Sequence, residues 1–125
     1  MSIKFNDEKP IFMQIAVMLE NAIFCGAYVE EDQIPSITEL AVAYNINPAT
    51  ALKGINMLVD EGLLYKKRGL GMFVAAGASA KIHQKRKNSF YANYIRPMIK
   101  EARQLGINGD SLSAMIERGY QDDGN

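Results

Sequence analysis

The stretch from residue 34 to residue 74 constrains the fold of this chain more than any other part. Two short helical patterns follow one another with only Asn45-Ile46-Asn47 between them. Two short apolar runs then flank a basic loop that contains glycine. The order helix, turn, helix and hairpin requires both helices to share one small core with the strands. The sequence therefore predicts a mainly α fold with a small β-hairpin.

Each of the two helices is marked by its own capping signal. Ser36 and Glu39 form a capping box, in which the serine oxygen accepts a hydrogen bond from the backbone three residues on and the glutamate accepts one from the cap. Asn47 is a favoured cap, and Pro48 at the first helical position loses no intrahelical hydrogen bond. These signals predict helices that start at Ile37 and at Pro48.

Apolar residues at helical spacing give each helix one face toward the core. The two stripes are Ile37, Leu40, Ala41 and Tyr44, then Ala51, Ile55, Leu58 and Val59. Gly62 ends the second helix, because glycine takes the left-handed conformation readily. In the loop at 66–71 glycines permit positive φ and three adjacent cations suit phosphate. A helix beside such a loop is typical of a winged helix-turn-helix that binds DNA.

The same stretch resembles the DNA-binding domain of GntR-type bacterial transcription regulators. That family shares a proline-serine pair, a leucine-alanine pair, a threonine in the recognition helix, the run EGL and a glycine-x-glycine wing that ends in Phe-Val. Here these elements are Pro35-Ser36, Leu40-Ala41, Thr50, Glu61-Gly62-Leu63 and Gly69-x-Gly71-x-Phe73-Val74. The resemblance covers residues 9–75 and implies a DNA-binding transcription regulator.

Candidate DNA contacts lie off the second apolar stripe, at Ala49, Thr50, Lys53 and Asn56. Thr50 suits phosphate or a base edge, and Lys53 suits guanine acceptors or the backbone. Ser36 lies at a helix N-terminus, which favours phosphate. Arg68 and Gly69 form the wing tip, which is suited to backbone or minor-groove contact.

The family resemblance implies DNA contact roles for a wider set of positions. They are Ser36, Thr38, Asn47, Ala49, Thr50, Leu52, Arg68 and Gly69. Family members often hold arginine at the positions that are Thr38, Pro48 and Leu52 here. Because one bidentate base contact is worth ~1–3 kcal/mol, DNA affinity is expected to be modest or its sequence preference shifted. Leu52 has a core contact as its alternative role, and every other position has that of an ordinary solvated residue.

Beyond a stretch of small residues at 75–80, the chain predicts a helical tail. An a/d seam at heptad spacing consists of Tyr91, Ile95, Met98, Ala102 and Leu105. Pro97 is expected to kink this helix or split it at Arg96. Gly106 ends the element, and Asp110 is expected to cap a last short helix. These features predict a winged domain at residues 1–76 and a dimerisation tail at residues 77–125.

The seam is too wide for one helix pair of this length to bury. It is expected to pair with a second copy, because reading a palindromic site needs two recognition helices related by a two-fold axis. Packing back on the winged domain is the alternative. The tail resembles the short tails of the YtrA-like subgroup, which implies a homodimer. The sequence identifies no small-molecule effector.

Before the winged stretch, Pro10 opens a scaffold helix that ends near Gly26. Cys25, near its end, is expected to be a buried thiol rather than a reactive one. The acidic run at 30–32 is interpreted as a solvated connector, which Tyr28 and Ile34 attach to the core. The basic run at 81–87 is interpreted as a solvated helix face in preference to a DNA-backbone contact.

Composition limits the function. One cysteine and one histidine cannot supply a metal cluster or a nucleophile with its base, so no metal, no cofactor and no enzyme activity are expected. The sequence lacks a signal peptide and an apolar run approaching the ~20 residues of a membrane span, which implies a cytosolic protein without membrane contact. A content of 48% hydrophobic and 22% charged residues is typical of a globular chain.

Two functions from different classes remain. The first is a homodimeric regulator that binds a palindromic operator in double-stranded DNA, for which the resemblance suggests a repressor of transporter genes. The second is a protein-interaction module with weak or no DNA binding. Residues 1–75 carry six Lys/Arg against nine Asp/Glu, and that net charge of −3 favours the second. Salt-dependent DNA affinity distinguishes the two, since phosphate contacts weaken steeply with salt.

Overall fold

A computed structural model describes residues 5–123 of the chain. The elements in order are α1 (Ile11–Phe24), α2 (Ile37–Tyr44), α3 (Pro48–Asp60), β1 (Leu64–Lys67), β2 (Gly71–Val74), α4 (Ala78–Phe90), a π-helical segment (Tyr91–Ile95), α5 (Arg96–Gln104) and α6 (Gly109–Asp123). This agrees with the predicted mainly α fold with one hairpin. Within the described range, the helices lack the combination of length and apolarity that crossing a membrane requires.

The chain divides into two compact units, the first ending at Lys85 and the second beginning at Arg86. The border therefore falls inside α4, later than the stretch of small residues suggests. The physical reason is that Ala78 and Ile82 of α4 are fully buried in the core cluster. The functional division into residues 1–76 and 77–125 stays a prediction.

The starts of α2 and α3 are fixed by the side chains that the sequence indicates. The Ser36 hydroxyl accepts a hydrogen bond from the Glu39 backbone N–H at 3.0 Å, and the Glu39 carboxylate accepts one from the Ser36 N–H at 2.9 Å. The Asn47 side-chain oxygen accepts from the Ala49 N–H at 2.8 Å, and Pro48 is the first residue of α3. Both predicted starts are confirmed.

One core joins α1, α2, α3, the hairpin and the first half of α4. Its buried apolar residues are Ile15, Ala16, Leu19, Ile23, Ile34, Leu40, Ala51, Ile55, Leu58, Leu63, Leu64, Val74, Ala78 and Ile82. The two predicted stripes supply Leu40, Ala51, Ile55 and Leu58 of this set, because the 3.6-residue period places them on one face of each helix. Gly62, with φ of +75°, turns the chain from α3 into β1 as predicted.

The connector before α2 adds an edge to the hairpin. β1 and β2 are antiparallel, with Leu64 opposite Val74 and Lys67 opposite Gly71. The Ile34 N–H donates to the carbonyl oxygen of Met72 at 3.0 Å, and Gln33 makes a bridge to Phe73. Ile34 is buried, and Tyr28 packs against the core. The predicted attachment of the connector by these two residues is confirmed.

The acidic run in this connector is exposed at Glu30 and Glu31, as interpreted, but its carboxylates also accept internal hydrogen bonds. The Glu30 carboxylate accepts a hydrogen bond from the Gly77 N–H at 2.6 Å, at the start of α4. Glu31 accepts one from the Tyr65 hydroxyl, which raises the pKa of Tyr65. Asp32 accepts one from the Val29 N–H at 2.9 Å. The three carboxylates of the run thus accept hydrogen bonds from three different places in the chain.

The expectation of a buried thiol at Cys25 is also wrong. Cys25 is the C-cap of α1 and its thiol is exposed. The last buried residue of the helix is Ile23. Because each residue turns the helix by about 100°, a position two further on faces away from the core.

The basic run in α4 is partly used inside the first unit. The Lys85 ammonium pairs with Glu20 of α1 and, at 3.2 Å, with Glu61 at the end of α3. Burial alone would lower the pKa of Lys85, but its hydrogen bonds to the two carboxylates outweigh that effect and raise it. Lys81 lies 3.4 Å from the carbonyl oxygen of Gly62. These lysines attach α4 to the C-terminal end of α3.

In the second unit the effect of Pro97 takes the form of the π-helical segment. The Arg96 N–H donates to the Tyr91 carbonyl five residues back, and α5 begins at Arg96 with the proline in its first turn. The wider turn moves backbone carbonyls away from the proline ring, which would collide with one of them in an α-helix. The predicted disturbance at Arg96 is therefore present, without loss of helical structure.

The last helix departs from its predicted start and length. The Asn108 side chain, and not Asp110, accepts the capping hydrogen bond, from the Ser111 N–H at 2.9 Å. Both residues have a short polar side chain suited to a cap, and only the backbone path after Gly106 decides between them. Gly106 has φ of +73°, as predicted for a helix end. α6 then runs for 15 residues and is not short.

Candidate nucleic-acid interface

The outward face of α3 is formed by residues that its core contacts leave free. Ala51, Gly54, Ile55 and Leu58 are buried, so helical geometry turns Ala49, Lys53 and Asn56 to the opposite side, where all three are exposed. Thr50 lies on the flank and is half-buried. Leu52 is 42% exposed, which rules out the alternative role of a core contact.

Lys53 has a specific neighbour on α1. Its ammonium lies 4.1 Å from the centroid of the Phe12 ring, within the range of a cation–π interaction. Such an interaction is worth about 0.5–1 kcal/mol at an exposed site. It orients the Lys53 side chain but is weak enough to be replaced by another partner. A phosphate or guanine contact by Lys53 therefore competes with a weak internal partner.

The N-terminus of α2 brings Ser36 and Thr38 to the surface, and both are exposed. The Ser36 hydroxyl accepts a hydrogen bond from the Glu39 backbone N–H, so a phosphate at this position would compete with Glu39 for the hydroxyl proton. The hydrogen bonds from the Ser36 backbone and side chain lower the pKa of Glu39. A carboxylate that stays ionised at this helix end competes with a phosphate for the same positive pole.

Asn47 is exposed at the start of α3. Its side-chain oxygen is engaged by the Ala49 N–H, which fixes the orientation of the amide. The amide nitrogen still carries two protons that can be donated. Asn47 can thus cap the recognition helix and present donors at the same time.

The wing loop presents two of its three adjacent cations. Lys66 and Arg68 are exposed, whereas Lys67 is half-buried. The Lys67 ammonium lies 3.7 Å from the Glu31 carboxylate and 4.3 Å from the Phe73 ring centroid. Successive residues of a strand point to opposite faces, which explains the division. Gly69, with φ of +78°, lies at the exposed tip beside Arg68.

Sequence reasoning missed one residue of this region. The side-chain amide of Gln33 donates a hydrogen bond to the carbonyl oxygen of Leu70 at 2.7 Å, within the wing loop. The two residues are 37 positions apart, so spacing and periodicity carried no signal for the contact. Leu70 itself is 65% exposed.

The comparisons with known proteins agree with this geometry. Residues 13–74 match the family described as "Bacterial regulatory proteins, gntR family". The crystal structure of a putative transcriptional regulator of the GntR family from Bacteroides thetaiotaomicron is 34% identical, with a TM-score of 0.74, over 90% of this chain and 98% of that one. The HTH-type transcriptional repressor YtrA of Bacillus subtilis (strain 168) is 26% identical over 86% of this chain and 82% of its own length.

A solved complex adds the ligand of a relative. AraR(DBD) in complex with operator ORX1 is 29% identical, with a TM-score of 0.53, over 60% of this chain and 92% of that one. The fold and these matches define a winged helix-turn-helix transcription regulator that binds DNA. The chain belongs to the GntR family and within it to the YtrA-like subgroup. The members of this family are transcription regulators and not enzymes, as the sequence led us to expect.

Proposed function

We propose that this chain is a cytoplasmic, homodimeric repressor that binds a palindromic operator. The observation that carries the proposal is the exposed face of α3, which lies in one compact unit with an exposed basic wing. Thr50 and Lys53 enter the major groove, with Asn47 and Ala49 at its edge. Ser36 and Thr38 meet the phosphate backbone at the N-terminus of α2.

The wing completes the contact through Arg68 and Gly69. Arg68 is exposed and forms a contact with a phosphate or with the minor groove. The backbone of Gly69 approaches the DNA closely because it carries no Cβ atom. No cofactor takes part in this function, and an effector is not assigned.

The dimer is formed by the second unit, along the seam of Tyr91, Ile95, Met98, Ala102 and Leu105. Of these, Ala102 is buried within the unit, while Leu105 is 67% exposed and Tyr91 is also exposed. Further large apolar side chains are exposed at Phe90, Tyr94, Met115, Ile116 and Tyr120. Exposed apolar surface of this extent marks an interaction site, and a second copy is the partner that a palindromic operator requires.

Repression and the targets are proposed by similarity. YtrA is a transcriptional repressor by name, and the resemblance of the short tail to the YtrA-like subgroup supports the same direction of control here. Transporter genes as targets rest on that analogy alone.

The proposal is tested by sedimentation of the purified protein, alone and with the DNA fragment upstream of its own gene, at low and moderate salt. A dimer should bind this fragment, less tightly as salt rises, and should not bind a random fragment equally well. Lys53→Ala and Arg68→Ala should each weaken binding and leave the dimer intact. Lys67→Met is the matched wing control, because Lys67 is paired with Glu31 and should contribute less. Normal binding by both alanine variants would refute the contact model.

A protein-interaction module is the second candidate, and two observations favour it. Of the wing cations, Lys67 is neutralised by Glu31, and the outward face of α3 carries an exposed Leu52 where relatives often hold arginine. Both features weaken attraction to phosphate. A dimer that does not bind DNA even at low salt would support this candidate, because contacts with phosphate are strongest at low salt.

A further inference from the structure

Gln33 ties the connector to the tip of the wing. Its side-chain amide donates to the carbonyl oxygen of Leu70 at 2.7 Å, while its backbone pairs with Phe73 in β2. The backbone bridge places Gln33 at the edge of the hairpin, and the side chain then reaches forward into the loop. Gln33 therefore contacts both the strand and the loop of the hairpin.

Gly71 makes this reach possible. A Cβ atom at position 71 would lie 2.7 Å from the Gln33 amide nitrogen, closer than real Cβ contacts come. Gly71 also has φ of +124°, which residues with side chains rarely adopt. Gly71, the first residue of β2, therefore has two roles. It allows the backbone to turn, and it leaves space for the Gln33 side chain.

The restrained loop is the part of the wing that carries the proposed DNA contacts. It is closed at its base by the Lys67–Gly71 pair and by a hydrogen bond from the Leu70 N–H to the Lys67 carbonyl at 2.9 Å. Arg68 and Gly69 lie between these restraints and are exposed. The Gln33 hydrogen bond fixes the side of the loop that leads from Gly69 into β2.

The connector also leads directly into the second proposed contact region. Gln33 is followed by the buried Ile34, by Pro35 with its fixed φ, and by Ser36 at the N-terminus of α2. A side-chain bond from Gln33 to the wing thus sets the loop relative to the start of α2. Contacts of both regions with the same duplex depend on that distance.

We propose that Gln33 is a positioning residue for DNA binding, which holds the wing loop in its binding shape before DNA arrives. This inference rests on the proposed function. Ordering a loop at the moment of binding costs affinity, and a loop ordered beforehand avoids that cost. Gln33 acts through Arg68 and Gly69 and needs no contact with DNA itself.

The test compares the wild type with Gln33→Met, which keeps the length of the side chain and removes the donor. Backbone amide relaxation of the full chain, without DNA, measures whether residues 68–70 become mobile. The DNA probe is a duplex enriched on the wild-type protein from a random-sequence library, so that a known operator is not needed. Both proteins are compared by thermal unfolding, and Gln33→Met should unfold cooperatively at a melting temperature lower by no more than the few degrees that one lost hydrogen bond costs.

We expect loop order parameters to fall in Gln33→Met from about 0.85 toward values below about 0.6. Binding to the enriched duplex should weaken about three- to tenfold, the range for loss of one hydrogen bond. In an Arg68→Ala background the same substitution should have much less effect, because the contact it positions is gone. Combined with Thr50→Val in α3, it should act additively.

Other results would overturn the inference. An equally ordered loop in Gln33→Met would show that the hydrogen bond does not hold it. Full additivity with Arg68→Ala would indicate that Gln33 contacts DNA directly or acts elsewhere. A wild-type protein that enriches no duplex would refute the proposed function, and this inference with it. The relaxation data are measured without DNA, so they show separately whether Gln33 orders the loop.

Discussion

Gly54 in the recognition helix lies directly against the backbone of Phe12 in α1. A Cβ atom built on Gly54 would lie 2.7 Å from the Phe12 carbonyl oxygen and 2.9 Å from the Ile15 Cγ2 atom. The glycine therefore sets how closely α1 and α3 approach. The same closeness brings the Phe12 ring under the Lys53 ammonium, so the packing of the core and the orientation of a proposed DNA contact share one cause.

Gly54→Ala should destabilise the protein in spite of the better helix propensity of alanine. The added methyl group meets backbone, which cannot rotate away, and overpacking of this kind costs more than the ~1 kcal/mol that alanine gains in a helix. We expect the free energy of unfolding to fall by about 1–2 kcal/mol, measured by urea denaturation. Gly119→Ala in α6 is the matched control, since a Cβ there meets nothing within 4 Å. It should leave stability unchanged or raise it, and a loss equal to that of Gly54→Ala would contradict the packing argument.

The capping box predicts a pH dependence. The hydrogen bonds from Ser36 lower the pKa of Glu39 in the folded protein, so ionised Glu39 stabilises the fold at pH values above the usual glutamate pKa. That stabilisation is lost as pH falls through the lowered folded-state pKa. Glu39→Gln keeps a hydrogen-bond acceptor but has no charge to titrate. The stability difference between the two proteins should be present at neutral pH and should close in acid.

The measurement is a series of urea denaturation curves for wild type and Glu39→Gln between neutral pH and pH 3. Aspartates and glutamates elsewhere titrate in both proteins, so their effects cancel in the difference. A stability difference that stays constant over this range would mean that the charge of Glu39 does not support the cap.

The starts and ends of the helices are the features that residues close together in this sequence determine. Ser36 with Glu39 and Asn47 with Pro48 define helix starts because the donors and acceptors concerned lie within three residues of each other. Gly62 needs only its own backbone conformation to end α3. Signals of this type predicted nearly the whole winged unit.

Contacts between distant residues were not predictable in this way. Glu30 reaches Gly77 across 47 positions, and Gln33 reaches Leu70 across 37. An acidic run looks solvated until the folded chain places donors beside it. The hydrogen bond from Gln33 to the wing loop was not predicted for the same reason. Arg68 and Gly69 were predicted at the tip of the wing, and both are exposed there.

The proposed dimer is tested most directly at Leu105, which is 67% exposed and lies on the predicted seam. If the seam forms the dimer, Leu105→Glu should sediment as a monomer, because two charges would have to be buried at the proposed interface. The monomer should keep its helix content, since the side chain is exposed within its own unit. Val42→Glu is the control, at an apolar position in α2 that is 78% exposed. A dimer that persists in Leu105→Glu would place the interface elsewhere.

The outward face of α3 can be tested by gain of function at Leu52. The family resemblance implies that arginine is common at this position, and Leu52 is exposed enough for a long side chain to replace it without disturbing the core. If this face meets DNA, Leu52→Arg should tighten binding by about tenfold, equivalent to one good base contact. A new phosphate contact would instead steepen the dependence of log affinity on log salt by about 0.9. Either result would separate DNA binding from a role as a protein-interaction module.

Net charge alone must be excluded in that experiment. Val17→Arg adds the same charge at an exposed position of α1, a helix that carries none of the proposed contacts. It should change affinity much less than Leu52→Arg, because the effect of a distant charge is screened within a Debye length of about 8–10 Å. Equal gains from both variants would point to general attraction between a more basic protein and DNA. A gain confined to Leu52→Arg would assign the outward face of α3 to the groove, and no gain in either would favour the interaction module.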